Sequence, residues 1–206
     1  MILVSAYYVV KPQRCDSMGF ATGYVNQCFL KEGKDMNCIR DAEAKAREIL
    51  EQYDLLKKIP IDPVNLARLN NIEVRNVDYE DNGFSGAISK KNGVVQIFVK
   101  SVDSYNRKRF TVAHELGHFF LHMQSVNEDF IVDTMFRTPG VAHEPRETAA
   151  NAFAAALLMD SVLVKSLWND LRSVQIMADV FKVSYESMAH RLENLGLFNE
   201  RTDQCS

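Results

Sequence analysis

Residues 114–118 read His-Glu-Leu-Gly-His, and this pentapeptide constrains the chain more than any other stretch. Two histidines four positions apart stand one turn apart on the same side of a helix. Their imidazole nitrogens then face one point, where a metal ion about 2.0–2.1 Å from each can sit. Glu115 lies beside them, near enough to handle a proton but not obliged to ligate. The pattern carries this meaning only on a buried helix. Phe110, Val112, Ala113, Leu116, Phe119, Phe120 and Leu121 supply the apolar surface for one, predicted from about Arg107 to Met123. Glycine costs about 1 kcal/mol against alanine in mid-helix, so Gly117 predicts the close approach of another backbone.

A catalytic zinc site takes three protein ligands and keeps one position open. The extended pattern with a third histidine is absent, because Leu121 and Gln124 fill its glycine and histidine positions. The third ligand therefore comes from further on. Glu147, at the start of an alanine-rich helical stretch running to Met159, is the expected one; Glu144 and His143 compete with it. Asn151 lies one turn from Glu147, placed to accept a hydrogen bond from the non-metal nitrogen of a ligand histidine. His122, one turn beyond His118, is too far along the axis to ligate. It is expected to pack or to hydrogen-bond beside the site.

The rest of the chain reads as α+β. Residues 1–40 are irregular and form an N-terminal extension without an assigned role. Residues 41–57 carry an apolar stripe of Ala42, Ala46, Ile49, Leu50, Tyr53 and Leu56 that predicts an amphipathic helix. Asp62-Pro63 opens a short helix through Leu69. Strands are expected at Ile72 to Val77, Phe84 to Ser89 and Val94 to Val99, with a hairpin turn at Lys91-Asn92-Gly93. Either of the last two strands is a candidate edge for pairing with an extended peptide, against a purely structural hairpin. Pro145 opens a helix to about Met159, and Leu163 to Leu195 stays helical. Residues 41–160 are read as the core and 161–206 as a helical part packed on it.

Residues 174–195 have a helix-turn-helix pattern. Glu186 and Glu193 offset His190 and Arg191, so packing is expected there rather than DNA reading. The basic run Arg107-Lys108-Arg109 is expected on a solvated face. The net charge of −3 argues against a molecule drawn as a whole to nucleic acid or anionic membrane. The apolar opening Ile2 to Val10 is too short for a span and lacks the flanks of an export signal, so a cytoplasmic protein with reduced thiols is expected. The four cysteines contain no C-x-x-C pair. Cys15, Cys28 and Cys38 are weighed as a thiolate for the open metal position in a latent form, with ordinary thiols expected.

RFTVAHELGHFFLH followed by ETAANAFAAALLM resembles the ImmA/IrrE metallopeptidases, gluzincin-like proteins of bacteria, phages and mobile elements. Weaker matches extend the resemblance over about residues 41 to 198: IDPVNLARLNNIEV, SGAI, VQIFV and ADVFKVSYESMAHRLENLGL. It implies a zincin-like fold, a small antiparallel or mixed sheet followed by the metal helix and a mostly helical C-terminal part. His114, His118 and Glu147 would hold zinc, and Glu115 would be the general base. Manganese or cobalt also suit such donors. The implied activity is endopeptidase cleavage of a regulator, typically a helix-turn-helix repressor encoded nearby, which relieves repression of stress, mobile-element or defence genes. Residues 1–40 have no counterpart in that pattern, and Asp160 stands where a proline is usual. The alternatives are a non-catalytic metal-containing partner of a repressor or toxin, and a DNA-binding regulator. The oligomeric state stays open.

Overall fold

The computed structural model describes residues 35–78, 85–124, 130–133 and 145–198. In chain order these form α1 (Asp35–Gln52), α2 (Pro63–Leu69), β1 (Ile72–Val77), β2 (Gly86–Lys91), β3 (Val94–Lys100), α3 (Tyr105–His118), a π-helical turn (Phe119–Met123), β4 (Phe130–Asp133), α4 (Pro145–Leu158), α5 (Ser161–Leu171), α6 (Val174–Phe181) and α7 (Tyr185–Asn194). The fold is α+β with a mixed sheet, as the sequence predicts.

Local chemistry sets the boundaries. The stripe Ala42, Ala46, Ile49 and Leu50 is buried in α1. The helix stops five residues earlier than its periodicity suggests because Asp54 adopts φ 53°, with Leu55 N–H bonded to Leu50 O at 2.7 Å and Asp54 N–H to Glu51 O at 3.1 Å. That pair of bonds is a Schellman closure. Asp62 caps α2, accepting from the amides of Val64 and Asn65 at 3.0 and 3.1 Å. Asn92 and Gly93, at φ 51° and 77°, make the tight turn between β2 and β3. Two positive φ values match the right-handed twist of the strands they join.

The sheet order is β1-β3-β2-β4, with β1 parallel to β3 and the other pairs antiparallel. Strand β3 is therefore central, and β2 is paired on both sides. Neither is an edge, which corrects the expectation that one of them is free to take up a peptide. The short strand β4, which the sequence reading did not assign, covers the side of β2.

Helix α3 packs on β2 and β3, and α4 packs on both α3 and α1. The core runs continuously through these elements to Met177, Phe181, Met188 and Leu192 of α6 and α7. The helical stretch after Met159 breaks where Arg172 and Lys182 adopt left-handed φ values of 46° and 55°. Arg191 on α7 is buried, with Nε donating to Met159 O at 3.1 Å and Nη1 to Glu43 of α1. It is not part of an exposed basic face. Among the described residues, no single helix is long and apolar enough to cross a membrane.

Arg109 also departs from the solvated role expected of it. It is 4% exposed, and its guanidinium donates to Ile61 O at 2.6 Å, Lys182 O at 3.0 Å and Phe181 O at 3.5 Å. A charge run placed at the start of a core helix turns one of its members inward. Carbonyl oxygens left over at the ends of other elements then satisfy it. Asn106 adds a bond to Val183 O at 2.9 Å. The first turns of α3 are thus tied to the α6–α7 turn and to the approach to α2.

Candidate metal centre

Ser104 caps α3 through the amide of Arg107, and the helix carries His114, Glu115 and His118 into the interior. Their exposures are 5%, 0% and 2%. The two histidines present Nε2 atoms 3.0 Å apart, with ring centroids 4.7 Å apart and nearly perpendicular. Glu147 comes from the first turn of α4. Its Oε2 lies 3.2 Å from His114 Nε2 and its Oε1 3.1 Å from His118 Nε2. Two imidazole nitrogens and a carboxylate therefore converge on one point, and the carboxylate side is one-third exposed.

Gly117 makes the convergence possible. A methyl group there would sit 3.1 Å from both Cα and O of Ala150 on α4. The backbone of α4 thus approaches α3 at its bare position, as the glycine predicts, one residue before His118.

The donor set fits a tetrahedral ion. Ligand atoms about 2.0–2.1 Å from a common centre lie roughly 3.3 Å apart; here the two Nε2 atoms are 3.0 Å apart, and each faces its own oxygen of Glu147, Oε2 at 3.2 Å from His114 and Oε1 at 3.1 Å from His118. Asn151 Oδ1 lies 3.0 Å from His114 Nδ1. A proton on Nδ1 donated to that oxygen leaves the Nε2 lone pair facing the centre. Burial lowers the pKa of His114, but its hydrogen bond to Glu147, the charges of Glu115 and Glu147 and the bond to Asn151 outweigh burial and raise it. Glu147 is held well below the usual carboxylate range by its hydrogen bonds to His114 and His118, despite partial burial.

His122 stands on the π-helical turn, its ring centroid 6.0 Å from that of His118. It lies outside the converging triad. Burial, with His118 and Arg146 adding to it, pushes its pKa down to about 4, so it is neutral near pH 7. Such π turns recur at functional sites because they shift the register of the side chains that follow.

Of the three residues that the sequence offers for stabilising an oxyanion, Tyr105, Arg137 and His143, Tyr105 is not brought to the centre. It opens α3 nine residues before His114, about 13.5 Å along the axis, and its ring lies 5.6 Å from the Arg109 guanidinium. Cys38 is a partly exposed residue of α1. Cys15, Cys28, Arg137, His143 and Glu144 lie outside the described residues. One neighbour of the site escaped the sequence reading. Gly86 of β2 faces Glu115, and a glycine inside a strand is the signal that marks such close approaches.

A family model described as Peptidase_M78, the IrrE N-terminal-like domain, matches residues 68–193. The chain belongs to the Peptidase_M78 family. No curated protein matches it. The Peptidase_M78 match opens at the end of α2 and closes near the end of α7, so it takes in the sheet, α3 and α4 with all three converging side chains. Helix α1 lies outside it, yet packs along α4 and contributes Ala42, Ala46, Ile49 and Leu50 to the same core. Membership makes a metallopeptidase type of function the general frame for the site.

Proposed function

We propose that the chain is a zinc-dependent endopeptidase, with His114, His118 and Glu147 as the metal ligands and Glu115 as the general base. The observation that carries this is the meeting of the three donors at 3.0–3.2 Å beside a fully buried Glu115. When bound, zinc supplies a Lewis acid that makes water acidic near neutral pH and polarises a carbonyl. Glu115 takes a proton from the attacking water and passes it to the leaving amine nitrogen. Asn151 keeps His114 in the tautomer that can ligate. Glu147, one-third exposed, marks the side on which the centre opens.

The substrate class we infer is a regulatory protein with a helix-turn-helix domain, encoded nearby and cut in the cytoplasm, with derepression of stress, mobile-element or defence genes as the outcome. The resemblance of the paired motifs to ImmA/IrrE proteins supports this reading.

Two measurements test it. Elemental mass spectrometry should find one zinc in the wild type and in Glu115→Gln, and none in His118→Ala or Glu147→Ala. Neighbouring repressors incubated with the zinc-loaded protein should be cut by the wild type and left whole by Glu115→Gln. A zinc-loaded wild type that cuts none of them removes the substrate assignment. Zinc retained by Glu147→Ala removes the third ligand.

A further inference from the structure

Strand β2 passes close against α3 at Gly86. A side chain at Gly86 has no room. Its Cβ would overlap Thr111 Cγ2 and sit 3.1 Å from Glu115 Oε1 and 3.3 Å from Phe98 O. Thr111 and Glu115 are one turn apart on α3, and both face this strand. Phe98 belongs to the central strand β3, paired to Ala87 beside Gly86. Strand β2 is itself fixed on both sides, by β3 and by β4. A methyl at Gly86 would therefore displace the Thr111 methyl first and press on the Glu115 carboxylate beside it. The backbone of Gly86 is not left-handed, so the glycine is required by approach alone.

We infer that Gly86 is a positioning residue for Glu115: by leaving its own side-chain volume empty, it sets where the carboxylate stands relative to the converging histidines. This rests on the proteolytic reading above, in which Glu115 handles the proton. The contacts separate two effects of Gly86→Ala. Overlap with Thr111 Cγ2 is a packing conflict, and Thr111→Ser removes that methyl while keeping the hydroxyl. The squeeze on Glu115 remains after the methyl is gone.

The test uses the full chain loaded with Co2+, whose visible absorption reports both occupancy and the binding of acetohydroxamate. That chelator must shed a proton, and Glu115 stands beside the ligand His114 on α3 without being a ligand itself. The proteins are wild type, Thr111→Ser, Gly86→Ala, the double variant and Glu115→Gln. Thr111→Ser should bind acetohydroxamate within about two-fold of wild type. The double variant should hold Co2+ fully but bind the chelator at least ten-fold more weakly, in step with Glu115→Gln. Wild-type affinity in the double variant, with Glu115→Gln weakened, overturns the role of Gly86 and leaves the general base in place. Wild-type affinity in Glu115→Gln overturns the general-base reading and this inference with it. A double variant that loses Co2+ or unfolds assigns Gly86 to packing alone.

Discussion

Asn151 on α4 holds His114 on α3 through a 3.0 Å contact between Oδ1 and Nδ1, although Asn151 itself is exposed to solvent. The bond favours the tautomer with the proton on Nδ1, which leaves Nε2 to face the centre. Groups in this position are typically worth 10–100-fold in metal affinity. Asn151→Ala should therefore bind zinc at least ten-fold more weakly in competition with a chromophoric chelator, while its melting temperature without metal changes little. An unchanged affinity would mean that packing alone orients His114.

Gly117→Ala should act on both stability and metal. The added methyl would press on Ala150 Cα and O at 3.1 Å and on Phe153 Cδ1 at 3.2 Å. Backbone gives way only by separating the helices, and such overpacking costs typically 1–3 kcal/mol. His118 and Glu147 lie on those two helices, so their 3.1 Å spacing widens with them. Denaturant melts and zinc titration should both shift; a loss of stability at unchanged zinc affinity would uncouple the glycine from the site.

Acidity should trade metal for protons. In the metal-free protein the His114 pKa lies above the ordinary 6.5, so its contribution to stability is full below pH 6.5 and is lost as pH rises through the raised value. Glu147 lies below the ordinary 4.5, so its contribution is full above pH 4.5 and is lost as pH falls toward the lowered value. The pair therefore favours the metal-free fold most between those limits. Zinc needs His114 deprotonated, so its affinity should rise over the range where metal-free stability falls. Melts of chelator-treated protein between about pH 6 and pH 8 should show the decline, and Glu147→Gln should flatten it. A melting temperature independent of pH in the wild type would contradict this.

Arg109→Met should destabilise the protein by roughly 2–4 kcal/mol, because three carbonyl oxygens lose a charged donor at once. Arg109→Lys should recover only part of the loss, since a single ammonium cannot reproduce the planar fork. Urea unfolding of the two variants checks the order. Equal stability of lysine and arginine at this position would show that charge, not geometry, matters there.

Where chemistry is local, the chain is readable. Strand β1, the cap at Asp62, the Asn92-Gly93 turn and the opening of α4 at Pro145 each follow from residues within a few positions. The paired histidines share that legibility, because a helix brings every fourth residue round to the same side. What escaped depends on distant partners. Strand β4 exists because Ala87 to Lys90 offer a ladder to residues far along the chain. Arg109 looks like its basic neighbours until the carbonyls of Ile61, Phe181 and Lys182 surround it. Gly86 looks like any small strand residue until Thr111 and Glu115 come to lie across from it. Helix α1 begins six residues before the start at residue 41 that its apolar stripe predicts, since its first turns carry no clear period.

The converging donors come from two helices joined by a long stretch of chain, from His118 to Glu147. An ion held by both closes that stretch into a ring, much as a disulfide does, and loops of such length restrict the unfolded chain by about 3–5 kcal/mol. Unlike a disulfide, this cross-link opens with a chelator and survives a reductant. A cut within the ring would leave two pieces fastened at the ion as well as by the packing of α4 on α1 and α3.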